Sequence, residues 1–132
     1  MKYEDIARQI ATEAHKNQFR HDNVTPYITH CEAVASIFKD DEYKAVALLH
    51  DVLEDTNVSC NDILKLGISN KILANVLILT KPNNITYLEY IEQLKSYPIA
   101  RAVKLQDIAH NYPTSKESAR ERYDKALKIL KA

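Results

Sequence analysis

Apolar residues return every three or four positions along nearly the whole chain, and the alternating pattern of a half-buried strand is almost absent. Ile6, Ile10 and Ala14 mark a first helix from about Tyr3 to Phe19. A polar run ending at Pro26 breaks the pattern and predicts a loop over Arg20–Pro26. A second helix follows from Ile28 to Phe38, with Ala33, Val34 and Ile37 inward. The third, Glu42 to Leu53, is the most apolar, and its hydrophobic run is interrupted by His50-Asp51. Ser59 is placed to cap a short fourth helix by accepting from the N–H of Asp62, and Gly67 stands where that helix should end in a left-handed residue. Ser69 to Leu79 reads as a fifth helix, stopped by Lys81-Pro82-Asn83-Asn84. Helices at Thr86–Leu94, Ile99–Asn111 and Lys116–Leu130 complete the set, the last with an apolar stripe at Ala119, Tyr123, Ala126, Leu127 and Leu130. The expectation is an all-α, compact bundle of seven or eight short helices, with no internal repeat and no linker.

Composition narrows the function more than the fold. A length of 132 residues suits one domain spanning 1–132, and a single glycine with four prolines suits helices. Eighteen basic residues balance 18 acidic ones, so the basic excess that gives most nucleic-acid binders their affinity is missing. A nucleic-acid partner is therefore not expected, and a local basic patch for a small phosphorylated ligand stays open. Cys31 and Cys60 are too few and too isolated for a disulfide framework or a zinc knuckle. No apolar run approaches the ~20 residues of a membrane span, and Met-Lys-Tyr-Glu-Asp lacks a signal peptide's apolar region. A cytoplasmic protein is expected.

The chemistry concentrates at the interrupted third helix. A carboxylate inside an apolar run needs a cation, a hydrogen-bond network or a proton to offset its lost hydration. His50 and Asp51 point about 100° apart on a regular helix, so they share an ion only where the helix ends. Glu54 lies three residues beyond Asp51 and four beyond His50, and Asp55 lies four beyond Asp51. These spacings bring the side chains onto neighbouring positions of one helical turn. Crowded carboxylates raise one another's pKa unless a cation intervenes. A metal on His50 and Asp51, with Glu54 and Asp55 orienting its water, relieves that crowding, and such an ion acidifies water and polarises a phosphoryl oxygen. His30, at the start of the second helix, and Asp107, with His110 and Asn111 at its i+3 and i+4 positions, offer matching ligands. Two imidazoles with two carboxylates suit Mn²⁺, Fe²⁺ or Zn²⁺. The residues alone leave a buried ion pair or an interior hydrogen-bond pair at His50-Asp51 equally open.

With those residues in place, the sequence resembles the HD superfamily of metal-dependent phosphohydrolases, whose H…HD…D pattern matches His30…His50-Asp51…Asp107. More narrowly it is similar to the hydrolase domain of the RelA/SpoT-type alarmone enzymes and their small stand-alone relatives. The matching stretches are Ala14–Arg20, Pro26–His30, Leu48–Thr56, Leu79–Lys81 and Val103–Asp107 with Asn111. The string His50-Asp51-Val52-Leu53-Glu54-Asp55-Thr56 is the most specific of them. The resemblance implies one divalent ion, usually Mn²⁺, on His30, His50, Asp51 and Asp107. It implies that Glu54 and Asp55 activate the attacking water and that Arg20 packs on the nucleotide base. Asn111, Thr114 and Tyr123 would contact the substrate. The implied reaction is hydrolysis of the 3′-pyrophosphate of ppGpp or pppGpp to GDP or GTP and pyrophosphate.

Two departures from the family pattern bear on substrate identity. His21-Asp22-Asn23 follows Arg20 where relatives carry lysine, aspartate and glycine, and Ile108 follows Asp107 where relatives favour arginine. They keep open an HD phosphohydrolase acting on another phosphorylated nucleotide. A non-catalytic nucleotide-binding module is the remaining alternative, and it would be marked by loss of a metal ligand or of the Glu54-Asp55 pair, neither of which has occurred.

Overall fold

The computed structural model describes residues 2–132. Among them the chain forms nine α-helices: α1 (Tyr3–Ala14), α2 (Ile28–Ser36), α3 (Asp41–Leu49), α4 (Val52–Asp55), α5 (Cys60–Lys65), α6 (Asn70–Leu79), α7 (Tyr87–Leu94), α8 (Pro98–Asn111) and α9 (Glu117–Lys131). A single 3₁₀ turn, Tyr112–Thr114, joins the last two. No strand occurs among the described residues, only an isolated bridge between Phe19 and Pro26.

The central element is α3. Its run Ala45–Leu49 is fully buried, and α1, α2, α6 and α8 all pack against it. Each leucine buried in this way is worth roughly 1.5–3 kcal/mol relative to exposure. The helix starts are set by local chemistry. Asp40 accepts from the N–H groups of Glu42 and Tyr43, Ser59 and Asp62 form a reciprocal capping box, Ser69 caps α6, and Thr86 with Glu89 caps α7. Lys2 supplies no side-chain cap for α1; the carboxylate of Asp41 accepts instead from the N–H groups of Tyr3 and Glu4, at 3.0 and 2.9 Å. Gly67 takes φ +105°, the left-handed stop its position predicts.

Three boundaries differ from the periodicity. The first helix ends at Ala14, not Phe19, because the chain turns at His15–Asn17 and runs into a bridge that returns Tyr27 N–H to the Gln18 carbonyl at 2.9 Å. The second stops at Ser36, not Phe38, where the Ser36 hydroxyl donates to Ala33 O at 2.7 Å. The third breaks at His50-Asp51: His50 N–H reaches only to Ala47 O, and one further turn, Val52–Asp55, restarts beyond it.

Candidate metal centre

That break is what gathers the ligands. It lets the side chains of two adjacent residues turn toward one point, which an unbroken helix forbids. His50 closes α3, Asp51 precedes α4, His30 sits in the first turn of α2, and Asp107 lies in the second half of α8. One ligand atom from each of these four residues lies within 4.8 Å of the others. His50 Nε2 is 3.0 Å from Asp51 Oδ2 and 3.4 Å from Asp107 Oδ1, while His30 Nε2 is 2.8 Å from Asp107 Oδ1 and 4.0 Å from Asp51 Oδ2. His30, His50 and Asp107 are buried, and Asp51 is nearly so.

The donor set fits a cation. His50 Nδ1 lies 2.5 Å from the carbonyl of Ala47, which can only accept, so that nitrogen carries the proton. In its neutral form the ring aims the Nε2 lone pair into the cluster, where that nitrogen is buried and has no well-formed hydrogen bond. His30 Nδ1 lies 2.7 Å from His110 Nδ1, which accepts a hydrogen bond from Nδ1–H when His30 Nε2 gives its lone pair to an ion. A partner at the second ring nitrogen is the usual means of fixing a ligating histidine's tautomer. The four residues can thus hold a metal ion through two nitrogens and two carboxylate oxygens, a set compatible with Mn²⁺, Fe²⁺ or Zn²⁺.

Electrostatics agree. Burial opposes ionisation of Asp107, but Lys104, whose Nζ donates to Asp107 Oδ2 at 3.0 Å, and the two imidazoles outweigh it and hold the carboxyl well below its usual range. Burial likewise opposes Asp51, yet His50 and the Tyr27 hydroxyl, which donates at 2.5 Å, bring it to about 2. The His50 imidazole is pulled above its ordinary value: desolvation disfavours its charge, but Asp51 and Asp107 more than compensate. This is the signature of a negative cavity that takes a proton where it lacks a metal.

Glu54 and Asp55 lie at the rim, open to solvent. Partial burial, together with Asp55 and Asp51 as neighbours, raises the Glu54 carboxyl above the usual range; partial burial and Asp51 do the same for Asp55. On the other flank Arg20 Nη2 donates to Asn111 Oδ1 at 2.6 Å, and Asn111 Nδ2 donates to Asp107 Oδ1 at 3.1 Å. The guanidinium also stands 5.9 Å from the centre of the Tyr27 ring. Thr114 and Tyr123 are not brought into the cluster. Thr114 is exposed and donates to the Asn111 carbonyl, while Tyr123 is half-buried on α9 beside Tyr112 and Arg122.

Sequence reasoning gave too little weight to Tyr27, Lys104 and His110, each hydrogen-bonded to one of the candidate ligands. The i, i+3 spacing of Lys104 and Asp107 on α8 was a usable signal for one of them. A concavity of about 970 Å³ lies elsewhere, between α1 and the α4–α5 connection, and is lined by Ile6, Ile10, Val58 and Leu66.

This all-α bundle with a buried His/Asp cluster at a helix break fits an HD-type hydrolase domain. No protein-family model matches the chain. Over 51 residues the sequence is 55% identical to guanosine-3′,5′-bis(diphosphate) 3′-pyrophosphohydrolase of Haemophilus influenzae, a match that covers 36% of this chain and 7% of that much longer protein. A solved structure described as a metazoan orthologue of SpoT that hydrolyses ppGpp and plays a role in starvation responses aligns over 96% of this chain and 83% of its own. The TM-score is 0.78 and the sequence identity 27%. No described helix is long and apolar enough to cross a membrane.

Proposed function

We propose that residues 1–132 act as one metal-dependent phosphohydrolase domain that removes the 3′-pyrophosphate of ppGpp or pppGpp, giving GDP or GTP and pyrophosphate. The observation that carries this reading is the convergence of His30, His50, Asp51 and Asp107 in a fold shared over 96% of the chain with a ppGpp-hydrolysing protein. These four residues hold one divalent ion, Mn²⁺ by preference and Fe²⁺ or Zn²⁺ as substitutes. When bound, the ion supplies acidification of water and polarisation of a phosphoryl oxygen.

The remaining work belongs to the chain's own side chains. Glu54 and Asp55, at the open edge of the cluster with carboxyls held above the ordinary range, orient water and take its proton. The water oxygen bonds to the phosphorus next to the ribose, the bond to O3′ breaks, and the 3′ oxygen leaves to end as a hydroxyl. Lys104, beside Asp107, offsets negative charge on the transferring group. Arg20 stacks on the base, with Asn111 holding the guanidinium plane from one side. Thr114 and Tyr123 form the outer wall of the nucleotide pocket. A soluble cytoplasmic setting suits this substrate.

A second reading has one observation in its favour. Where relatives carry lysine after the arginine, the chain has His21, so the fixed positive charge of that lysine is missing beside Arg20. Asp22, the aspartate that relatives share, accepts from Val24 N–H, Thr25 N–H and the Thr25 hydroxyl, which lowers its pKa to about 2. A less highly charged phosphorylated nucleotide would lose less by the absence of that lysine. Incubating the protein with ppGpp and Mn²⁺ and following pyrophosphate release, with EDTA and Asp51→Ala as controls, tests the first reading. Metal-dependent release of GDP and pyrophosphate is expected; turnover of another nucleotide in its place would transfer the site to the second.

A further inference from the structure

Asp55 ends a helix only four residues long, and Thr56 beyond it is extended at φ −134°, ψ 175°. A single turn of helix has little stability of its own, and its last carbonyls have no partner within the helix. Val52 O is satisfied by both the N–H and the hydroxyl of Thr56, at 3.2 and 2.6 Å. The carbonyl of Asp55 is satisfied from across the fold, by Gln18 Nε2 at 2.8 Å.

That contact fixes the orientation of everything behind it. A carbonyl only accepts, so Gln18 presents its amide nitrogen to Asp55 and turns Oε1 the other way. Oε1 lies 2.7 Å from His15 Nδ1, so that nitrogen must carry the proton and donate. His15 is 1% exposed, and its Nε2 is buried without a partner. An imidazole that served only to fill space would be outdone by an apolar ring, because an orphaned buried nitrogen costs stability. Its use here is the Nδ1–H that orients Gln18. The same ring packs 4.9 Å from the Tyr27 ring, and Gln18 O accepts from Tyr27 N–H at 2.9 Å. Tyr27 in turn donates to Asp51.

We propose that His15 and Gln18 are positioning residues that hold Asp55 in register with the metal-ligand cluster through its backbone carbonyl; the proposal rests on the hydrolase reading above. Neither side chain hydrogen-bonds to any of the four candidate ligands, so their contribution falls on Asp55 and not on the metal.

Gln18→Met keeps the length of the side chain and removes both hydrogen bonds. It is expected to lower kcat for ppGpp by 10- to 100-fold while KM and Mn²⁺ affinity stay within twofold. By amide hydrogen exchange, Asp55 and Thr56 should exchange at least fivefold faster, with Leu48 and Leu49 unchanged. His15→Phe, which keeps a ring but has no N–H, should repeat both effects. His15→Asn, whose amide N–H can replace Nδ1–H, should restore kcat to within threefold of the parent. The His15 pair carries the comparison if Gln18→Met does not fold. An unchanged kcat, an unchanged exchange rate at Asp55, or a loss that appears in Mn²⁺ affinity overturns the proposal. If the parent protein does not hydrolyse ppGpp, the hydrolase reading falls separately, and the exchange rates alone decide the tether.

Discussion

The ligand cluster at the α3–α4 break and the Arg20–Thr25 loop both border the candidate site, yet they are held in place by different means. The cluster draws its four residues from two helices and one helix junction, three of the four are buried, and each has a hydrogen-bond partner to hold it: Ala47 O for His50, Tyr27 for Asp51, His110 for His30, Lys104 for Asp107. The loop is fixed mainly by itself. Asp22 gathers the amides of Val24 and Thr25, Asn23 turns at φ +59°, and Val24 remains 76% exposed. Its one long-range side-chain bond in this region is Arg20 to Asn111. The candidate ligands are thus held by helices and their junction, and the loop that carries Arg20, the residue proposed to stack on the base, is a surface turn. Substitutions should divide accordingly, those in the cluster acting on binding of the ion and on kcat, those in the loop on KM.

The largest effect is expected at Asp51. Asp51→Ala removes a charged ligand from a site of four and should abolish both Mn²⁺ binding, by calorimetry, and turnover, by at least about a thousandfold. A variant that still bound Mn²⁺ with parental affinity would remove Asp51 from the ligand set. Next, Glu54→Gln should keep ion affinity within a few fold and cut kcat by about 10²–10⁴, the usual range for loss of a general base. Full turnover in this variant would overturn the role given to Glu54.

Acid should separate the two regions again. The ion needs bare imidazole nitrogens, and the proton on His50 is held above its ordinary pKa by Asp51 and Asp107. Mn²⁺ affinity should therefore begin to fall at a pH above the ordinary imidazole value of about 6.5. Glu54 and Asp55, raised by burial and by neighbouring carboxylates, must be ionised to accept a proton. A bound cation offsets that crowding, so the acid limb of kcat at saturating Mn²⁺ should lie below the pH at which Mn²⁺ affinity begins to fall. Arg20→Ala comes next in size: KM for the nucleotide should rise about tenfold with kcat nearly unchanged, as expected for a lost stacking contact of about 1–2 kcal/mol. The smallest effect is expected at Asn23→Gly, where glycine accepts the positive φ without strain; melting should shift by no more than about 0.5 kcal/mol in stability terms, read from a denaturant curve.

Much of this molecule was visible in its order of residues. The 3.6-residue period gave the helices, because an amphipathic helix must bury one stripe wherever it packs. Ser59 with Asp62 and the stop at Gly67 were readable because capping is local chemistry. His50-Asp51 was conspicuous because a charge inside an apolar run needs an explanation. The sequence also placed the candidate ligands in order along the chain, and a family resemblance attached roles to them.

Tertiary structure decided what period and spacing cannot carry. The break between α3 and α4 leaves no periodic trace, since Val52 and Leu53 continue the apolar pattern across it. The supports of the ligands join residues far apart in sequence, as with His110 and His30, 80 positions apart, and Tyr27 and Asp51, 24 apart. Gln18 meets the carbonyl of Asp55 across 37 positions, through a backbone group that no residue pattern reveals. Thr114 and Tyr123, which the resemblance alone joined to the substrate, stand on the 3₁₀ turn after α8 and on α9, and neither hydrogen-bonds to one of the four candidate ligands. Local chemistry and burial can be read residue by residue, whereas the meeting of distant side chains is fixed only when the helices pack.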